Sequence, residues 1–169
     1  MPKLIILRGP IGAGKTSLMH SLAQVLPLTS VIEIDALKRM LDPHASTDWR
    51  RKAAVNAALY MTKYALTMGR NVIAETHSKR PEQQKRFSTL AEKIPGLTYT
   101  SVLVTAPLDI CIKRNQKRVV SGIDYTIDES MVTSYYAGLE PLPKEVVIDT
   151  SRVSPQIGAQ MILETLIEV

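Results

Sequence analysis

Cysteine is nearly missing from this sequence: Cys111 is the only one in 169 residues. An intrachain disulfide framework and a multi-cysteine metal site are therefore excluded, and a reducing, cytoplasmic setting is expected. The three histidines, His20, His44 and His77, lack metal-ligand spacing, so no zinc centre is expected. Aromatic residues are scarce too. One Trp, one Phe and six Tyr argue against a broad platform on which successive bases of a single strand stack. Uninterrupted aliphatic runs such as Leu4-Ile5-Ile6-Leu7 fall far short of the ~20 residues that cross a bilayer. That run is also too short for the apolar core of a signal peptide. No repeat, low-complexity tract or linker divides the chain, so one domain over 1–169 is expected, with no membrane association and no protein partner indicated.

What is present is an ordinary globular composition, 45% hydrophobic and 22% charged, with a net charge of +5. The charge is unevenly spread. Residues 1–85 carry 13 Lys and Arg against 6 Asp and Glu, while 86–169 carry 8 against 10. The first half thus favours an anionic ligand, such as phosphates, nucleotides or nucleic acid; ordinary solubility charge is the plainer reading.

Short β-rich runs alternate with longer helical stretches. The strand candidates are Lys3–Arg8, Val31–Asp35, Asn71–Glu75, Thr98–Thr105 and Glu145–Asp149. Helices are expected near 15–25, 36–42, 47–68, 80–94, 107–118, 128–137 and 155–168. In the longest, Trp49, Ala53, Ala57, Tyr60, Tyr64 and Met68 recur at helical spacing and read as a core stripe. Gly69 follows as a left-handed cap, and Pro107 and Pro155 suit first helical turns. Strand alternating with helix predicts an α/β fold, a parallel sheet with helices on both faces.

The strongest motif is Gly9-Pro10-Ile11-Gly12-Ala13-Gly14-Lys15-Thr16, which satisfies G-x-x-x-x-G-K-[ST]. Chance alone would produce this pattern in roughly 0.4% of such compositions. An apolar strand feeds the loop, and Ser17-Leu18-Met19-His20-Ser21-Leu22-Ala23 continues it as a helix. Glycines let backbone amides turn inward around phosphate oxygens at a helix N-terminus. Lys15 is expected to reach the β- and γ-phosphates, and the Thr16 hydroxyl to join a Mg²⁺ shell. Gly9 through Ser17 are accordingly the candidate ATP-binding residues. The dinucleotide fingerprint fails, because its third glycine would fall on Ser17.

Other residues narrow the choice among P-loop proteins. Guanine-nucleotide switches would need D-x-x-G and N-K-x-D, and neither is present. Motor ATPases usually show a long strand ending in Asp-Glu, whereas Val72-Ile73-Ala74-Glu75 ends in one carboxylate followed by Thr76. Asp35, at the expected end of the second strand, can either accept the proton of an attacking hydroxyl or cap the next helix. Glu33 would share its face under strand alternation. Arg114 and Arg118 lie four residues apart on one helical face, leading into the irregular stretch 119–128. They read either as a lid that neutralises transition-state charge or as a solvated basic face.

Together, Gly9–Thr16, Asp35, Val72–Thr76 and Arg114–Arg118 resemble the 5′-kinase domain of phage-type polynucleotide kinase. The wider group of small P-loop kinases includes the zeta-toxin and chloramphenicol phosphotransferase types. This resemblance implies a P-loop NTPase three-layer fold with a five-stranded parallel sheet and a short lid. It further implies ATP with Mg²⁺, Asp35 as general base, and Arg118 as a lid arginine. The group tends to carry D-x-x-R after the second strand, but here that position is Lys38, with Arg39 beside it. The acceptor is expected between strands two and three, where Asp48-Trp49-Arg50-Arg51-Lys52 sets cations at a helix start against the macrodipole. Lys38, Arg39, Trp49, Arg50, Glu75 and His77 are the candidate acceptor contacts, with Lys79 and Arg80 adding charge. The expected reaction moves the γ-phosphoryl of ATP to a polynucleotide 5′-hydroxyl or to a small-molecule hydroxyl. A nucleotide-binding regulatory module with weak ATPase activity and a protein partner is the alternative.

Overall fold

Leu4, Ile5, Ile6 and Leu7 are all inaccessible to solvent, so their strand must be covered on both faces. In the computed structural model, which describes residues 1–42, 48–77, 80–120 and 127–166, that strand is the centre of the sheet. The elements in chain order are β1 (Lys3–Gly9), α1 (Lys15–Val25), β2 (Thr29–Ile32), α2 (Ile34–Leu41), α3 (Asp48–Thr67) and β3 (Asn71–His77). They continue with α4 (Pro81–Glu92), β4 (Thr98–Thr105), α5 (Leu108–Val120), α6 (Glu129–Tyr136), β5 (Val146–Asp149) and α7 (Pro155–Thr165). The five strands are parallel in the order β2-β3-β1-β4-β5. The chain leaves β1 for one side of it and later crosses to the other. That reversal opens a crevice beyond the carboxyl end of β1, where ligands of open α/β sheets bind.

Period-two alternation divides the core. Ile5, Leu7, Ile73, Val102, Val104 and Ile148 pack with Leu18, Met19 and Leu22 of α1, Cys111 of α5, Val132 of α6 and Ile162 of α7. Leu4, Ile6, Val72 and Ala74 pack on the opposite face with Ile34 of α2, Ala54, Val55 and Ala58 of α3, and Phe87 of α4. The α/β, P-loop NTPase-like architecture expected from the sequence is therefore present. The expected lid falls largely on residues outside the described ones. Among the described residues, no helix is long and apolar enough to cross a membrane.

Three local readings change. The second strand ends at Ile32, and α2 begins at Ile34, so Asp35 lies inside the first helical turn and Glu33 takes the N-cap place. The shared strand face expected for Glu33 and Asp35 does not exist. Second, the stripe of α3 faces solvent: Trp49, Tyr60, Tyr64 and Met68 are exposed, and Ala54, Val55, Ala58, Thr62 and Leu66 are buried. The buried row lies one residue after Ala53 and Ala57 and two residues from Tyr60, Tyr64 and Met68, so it turns the latter to the opposite side of the helix. Small alanines let the α3 backbone approach the sheet, while the large amphipathic rings stay at the water boundary. Third, Pro107 precedes α5, and its carbonyl accepts from the amides of Ile110 and Cys111. The glycine cap at Gly69 (φ 74°) and the first-turn Pro155 match the sequence reading.

Arg8, the last side chain before the glycine loop, is buried and paired with Glu145 through Nε–Oε1 at 2.7 Å. Ser101 Oγ donates to the same carboxylate at 2.7 Å and the Leu142 amide at 2.9 Å. Burial pushes the Glu145 carboxyl up, but these hydrogen bonds outweigh it and hold the group below the usual carboxylate range. Glu145→Gln should leave an uncompensated buried guanidinium and cost about 3–5 kcal/mol in urea unfolding at pH 7. Because the folded value is depressed, the pair's contribution is present above the unfolded value of about 4.3. It is lost as pH falls through the folded value, so wild type and variant should converge in acid.

Candidate active site: a phosphate-binding loop and its carboxylates

The loop 9–14 leaves β1 and delivers the chain to α1, whose N-cap is Gly14 at φ 91° with no side-chain capping bond. The first amides of α1 are thus open to an anion. Gly12 adopts φ +80°, and a Cβ there would lie 2.4 Å from the Cys111 carbonyl oxygen. Only glycine lets the loop pack this closely on α5. Cys111 itself is buried, as expected, with its thiol facing the Ala106 carbonyl at 3.6 Å.

Lys15 folds back along the loop and donates from Nζ to the carbonyls of Gly9 (2.9 Å) and Pro10 (3.0 Å). Desolvation lowers its pKa below the ordinary lysine value; Glu75 and Asp35 pull the other way, and Arg118 adds to the lowering. Glu75 stands on β3 opposite Leu7, on the same sheet face as α1. Burial raises its carboxyl pKa, Lys15 opposes the rise, and the charges of Asp35 and Glu33 add to it. The Asp35 amide hydrogen-bonds this carboxylate. The start of α2, the end of β3 and the phosphate loop are therefore joined through charge and hydrogen bonding.

A cleft of about 510 Å³ collects these groups. Its lining includes Ile11, Gly12, Gly14, Lys15, Thr16 and Ser17 from the loop and α1, together with Asp35, Arg39, Glu75, Arg114 and Arg118. Gly9, Pro10 and Ala13 contribute loop carbonyls that accept from Lys15 and Thr150. Lys38 is in ion-pair contact with Asp35 at 2.7 Å. Trp49 and Arg50 are outside the lining. Trp49 is exposed on α3, and Arg50 is buried, donating to the Asp42 carbonyl at the end of α2. The cationic first turn of α3 is locally compensated, because Asp48 pairs with both Arg51 and Lys52. The side chains of His77 and Lys79 lie outside the described residues.

Arg114 does more than the lid reading assigned to it. Its Nη1 donates to Thr150 Oγ1 at 2.8 Å and to the Gly12 carbonyl at 3.4 Å, and its Nη2 to the Thr150 carbonyl at 3.0 Å. The Thr150 hydroxyl in turn donates to the Ala13 carbonyl at 2.7 Å. Thr150 thereby ties β5 to the phosphate loop. Sequence reasoning missed it, although its place just beyond a strand's carboxyl end was an available signal. Among the described residues no group of three His, Cys, Asp or Glu could hold a metal ion by itself.

A glycine loop that closes on a helix N-terminus, with its lysine beside two acids at a sheet switch point, defines a P-loop nucleotide-binding protein. Residues 4–142 match the AAA domain family, and the chain belongs to it. No curated protein sequence shows significant similarity to the chain. Among solved structures, a Chloroflexus aurantiacus protein to which kinase activity has been ascribed is 23% identical (TM-score 0.77), covering 99% of this chain and 97% of its own. The Mycobacterium tuberculosis APS kinase CysC, solved with AMPPNP and APS, is 16% identical (TM-score 0.71) with coverage of 99% and 98%. A chain of the Pnkp1/Rnl/Hen1 RNA repair complex is 19% identical (TM-score 0.69), covering 90% of this chain and 51% of its own. These likenesses are likenesses of fold, and they support the resemblance to small P-loop kinases drawn from the motifs.

Proposed function

We propose that this chain is an ATP- and Mg²⁺-dependent phosphotransferase that moves the γ-phosphoryl group to an acceptor hydroxyl. The observation that carries the reading is the convergence of Lys15, Asp35, Glu75 and Arg118 on one cleft. The loop amides and Lys15 hold the triphosphate, and the open N-terminus of α1 suits its charge. Thr16, in the first turn of α1, would hold Mg²⁺, which when bound would neutralise phosphate charge. Asp35 accepts the proton as the acceptor oxygen bonds to the γ-phosphorus and the bridge to ADP breaks. Lys38, bonded to Asp35 at 2.7 Å, holds that carboxylate in place at the start of α2. Arg118, at the last turn of α5, counters charge spreading over the transferring group. We place this activity in one cytoplasmic domain over 1–169, a setting that suits the unpaired, buried Cys111.

Arg118→Ala should lower turnover by about 10²-fold or more, with little change in the KM for ATP, because its contact strengthens in the transition state. Steady-state kinetics at saturating acceptor read this directly. Incubation with γ-labelled ATP and a panel of nucleosides, oligonucleotides, sugars and aminoglycosides identifies the acceptor by where label lands. Label reaching only water would favour the regulatory alternative. For the identified acceptor, a steep salt dependence marks a polynucleotide and a shallow one a small molecule.

A further inference from the structure

On the sheet face opposite the phosphate loop, α3 and α4 leave an open groove of about 920 Å³ between them. Its floor is aliphatic, formed by Leu59, Leu90, Ile94 and Pro95. Cations rim both sides: Lys63 on α3, Lys85 and Arg86 on α4, and Lys93 at the C-cap of α4. Glu82 is the one acid in the lining, and it faces Arg80 at 3.7 Å. Among the described residues no acidic side chain pairs with Lys63, Lys85 or Lys93. Tyr60, 72% exposed, stands over the groove with its ring in water. None of these residues lines the phosphate cleft.

From this juxtaposition we propose that the α3–α4 groove docks an acidic amphipathic helix of a partner protein. Two helices side by side form the kind of trough that accepts an amphipathic helix by its apolar face, with anchors at i, i+3, i+4 and i+7. The 12-residue α4 is about 18 Å long, which matches roughly three turns of an occupant. Lys93, at the C-cap of α4, lies eight and seven residues after Lys85 and Arg86, about two turns, so acids two turns apart on the partner would meet the two ends. Tyr60 would close over the seated apolar face as an anchor. The aliphatic floor distinguishes this occupant from single-stranded nucleic acid, which needs aromatic faces in succession. Docking here leaves the phosphate cleft open, so the occupant would localise the protein without blocking its chemistry.

The test uses the full chain and a labelled helical peptide of about 14 residues, with Leu at helical spacing and Glu on both flanks. Fluorescence anisotropy is followed up to about 1 mM protein. Saturable binding is expected, with roughly tenfold weakening by Tyr60→Ser and by Lys63→Glu combined with Lys93→Glu. All three positions are exposed, so these variants should fold normally. Absence of saturation, or equal binding of a scrambled or Lys-for-Glu peptide, overturns the proposal. So does tighter binding of oligothymidylate that the same variants abolish, which would make the groove a nucleic-acid surface. Self-association relieved by those variants would assign it to a second copy and also overturn the proposal.

Discussion

Asp35→Asn is expected to leave nucleotide binding intact and to lower phosphoryl transfer by about 10²–10⁴-fold, the range for loss of a positioned general base. The substitution keeps the size of the side chain and its place in the first turn of α2. It removes the lone-pair basicity that would take the acceptor's proton, and the charge that Lys38 neutralises at 2.7 Å. It also removes a negative charge that raises the Lys15 pKa, so phosphate contacts change slightly while proton transfer fails. Calorimetric ATP affinity and single-turnover rates separate these effects. Wild-type turnover in the variant would strip Asp35 of the base role and leave it a helix-end acid that complements the macrodipole.

Gly12→Ala should destabilise the protein by about 3 kcal/mol or more and remove nucleotide binding, a larger structural effect than any loop side-chain truncation. Two independent costs meet there: a left-handed φ of 80°, and a Cβ only 2.4 Å from the Cys111 carbonyl oxygen. The crowding atoms cannot yield, since all belong to the Cys111 backbone. Gly69 is the internal control. It has φ +74° but open space around its would-be Cβ, so Gly69→Ala should cost only about 1 kcal/mol. Thermal unfolding, with about 2–4 °C per kcal/mol at this size, resolves the two.

The loop, the central strand and the alternation of β and α were legible in the sequence because each rests on local rules. Four consecutive aliphatics are enough to mark a doubly covered strand, and the spacing of Gly9, Gly14, Lys15 and Thr16 is enough to mark the phosphate site. What stayed hidden depends on long-range neighbours. The α3 periodicity gave a helix but assigned the wrong side to the core, because burial was decided by how closely Ala54 and Ala58 let the backbone approach the sheet. Arg114 read as a lid residue, whereas its Thr150 partner lies 36 positions away in sequence. The charge run Arg50-Arg51-Lys52 suggested an acceptor surface. Asp48 stands three and four residues before Arg51 and Lys52 and pairs with both, a spacing legible in the sequence, whereas the bond of Arg50 to the Asp42 carbonyl was not. Glu75 read as an acceptor contact, and its electrostatic coupling to Lys15 follows instead from the register that sets β3 beside β1, a long-range pairing.

Titration of the purified protein with ATP in the presence and absence of Mg²⁺, followed by isothermal calorimetry, tests the account most directly. A one-to-one association is predicted, strengthened by the cation and abolished by Lys15→Ala. Heat no greater than dilution at millimolar nucleotide, or an unchanged isotherm for Lys15→Ala, would contradict it.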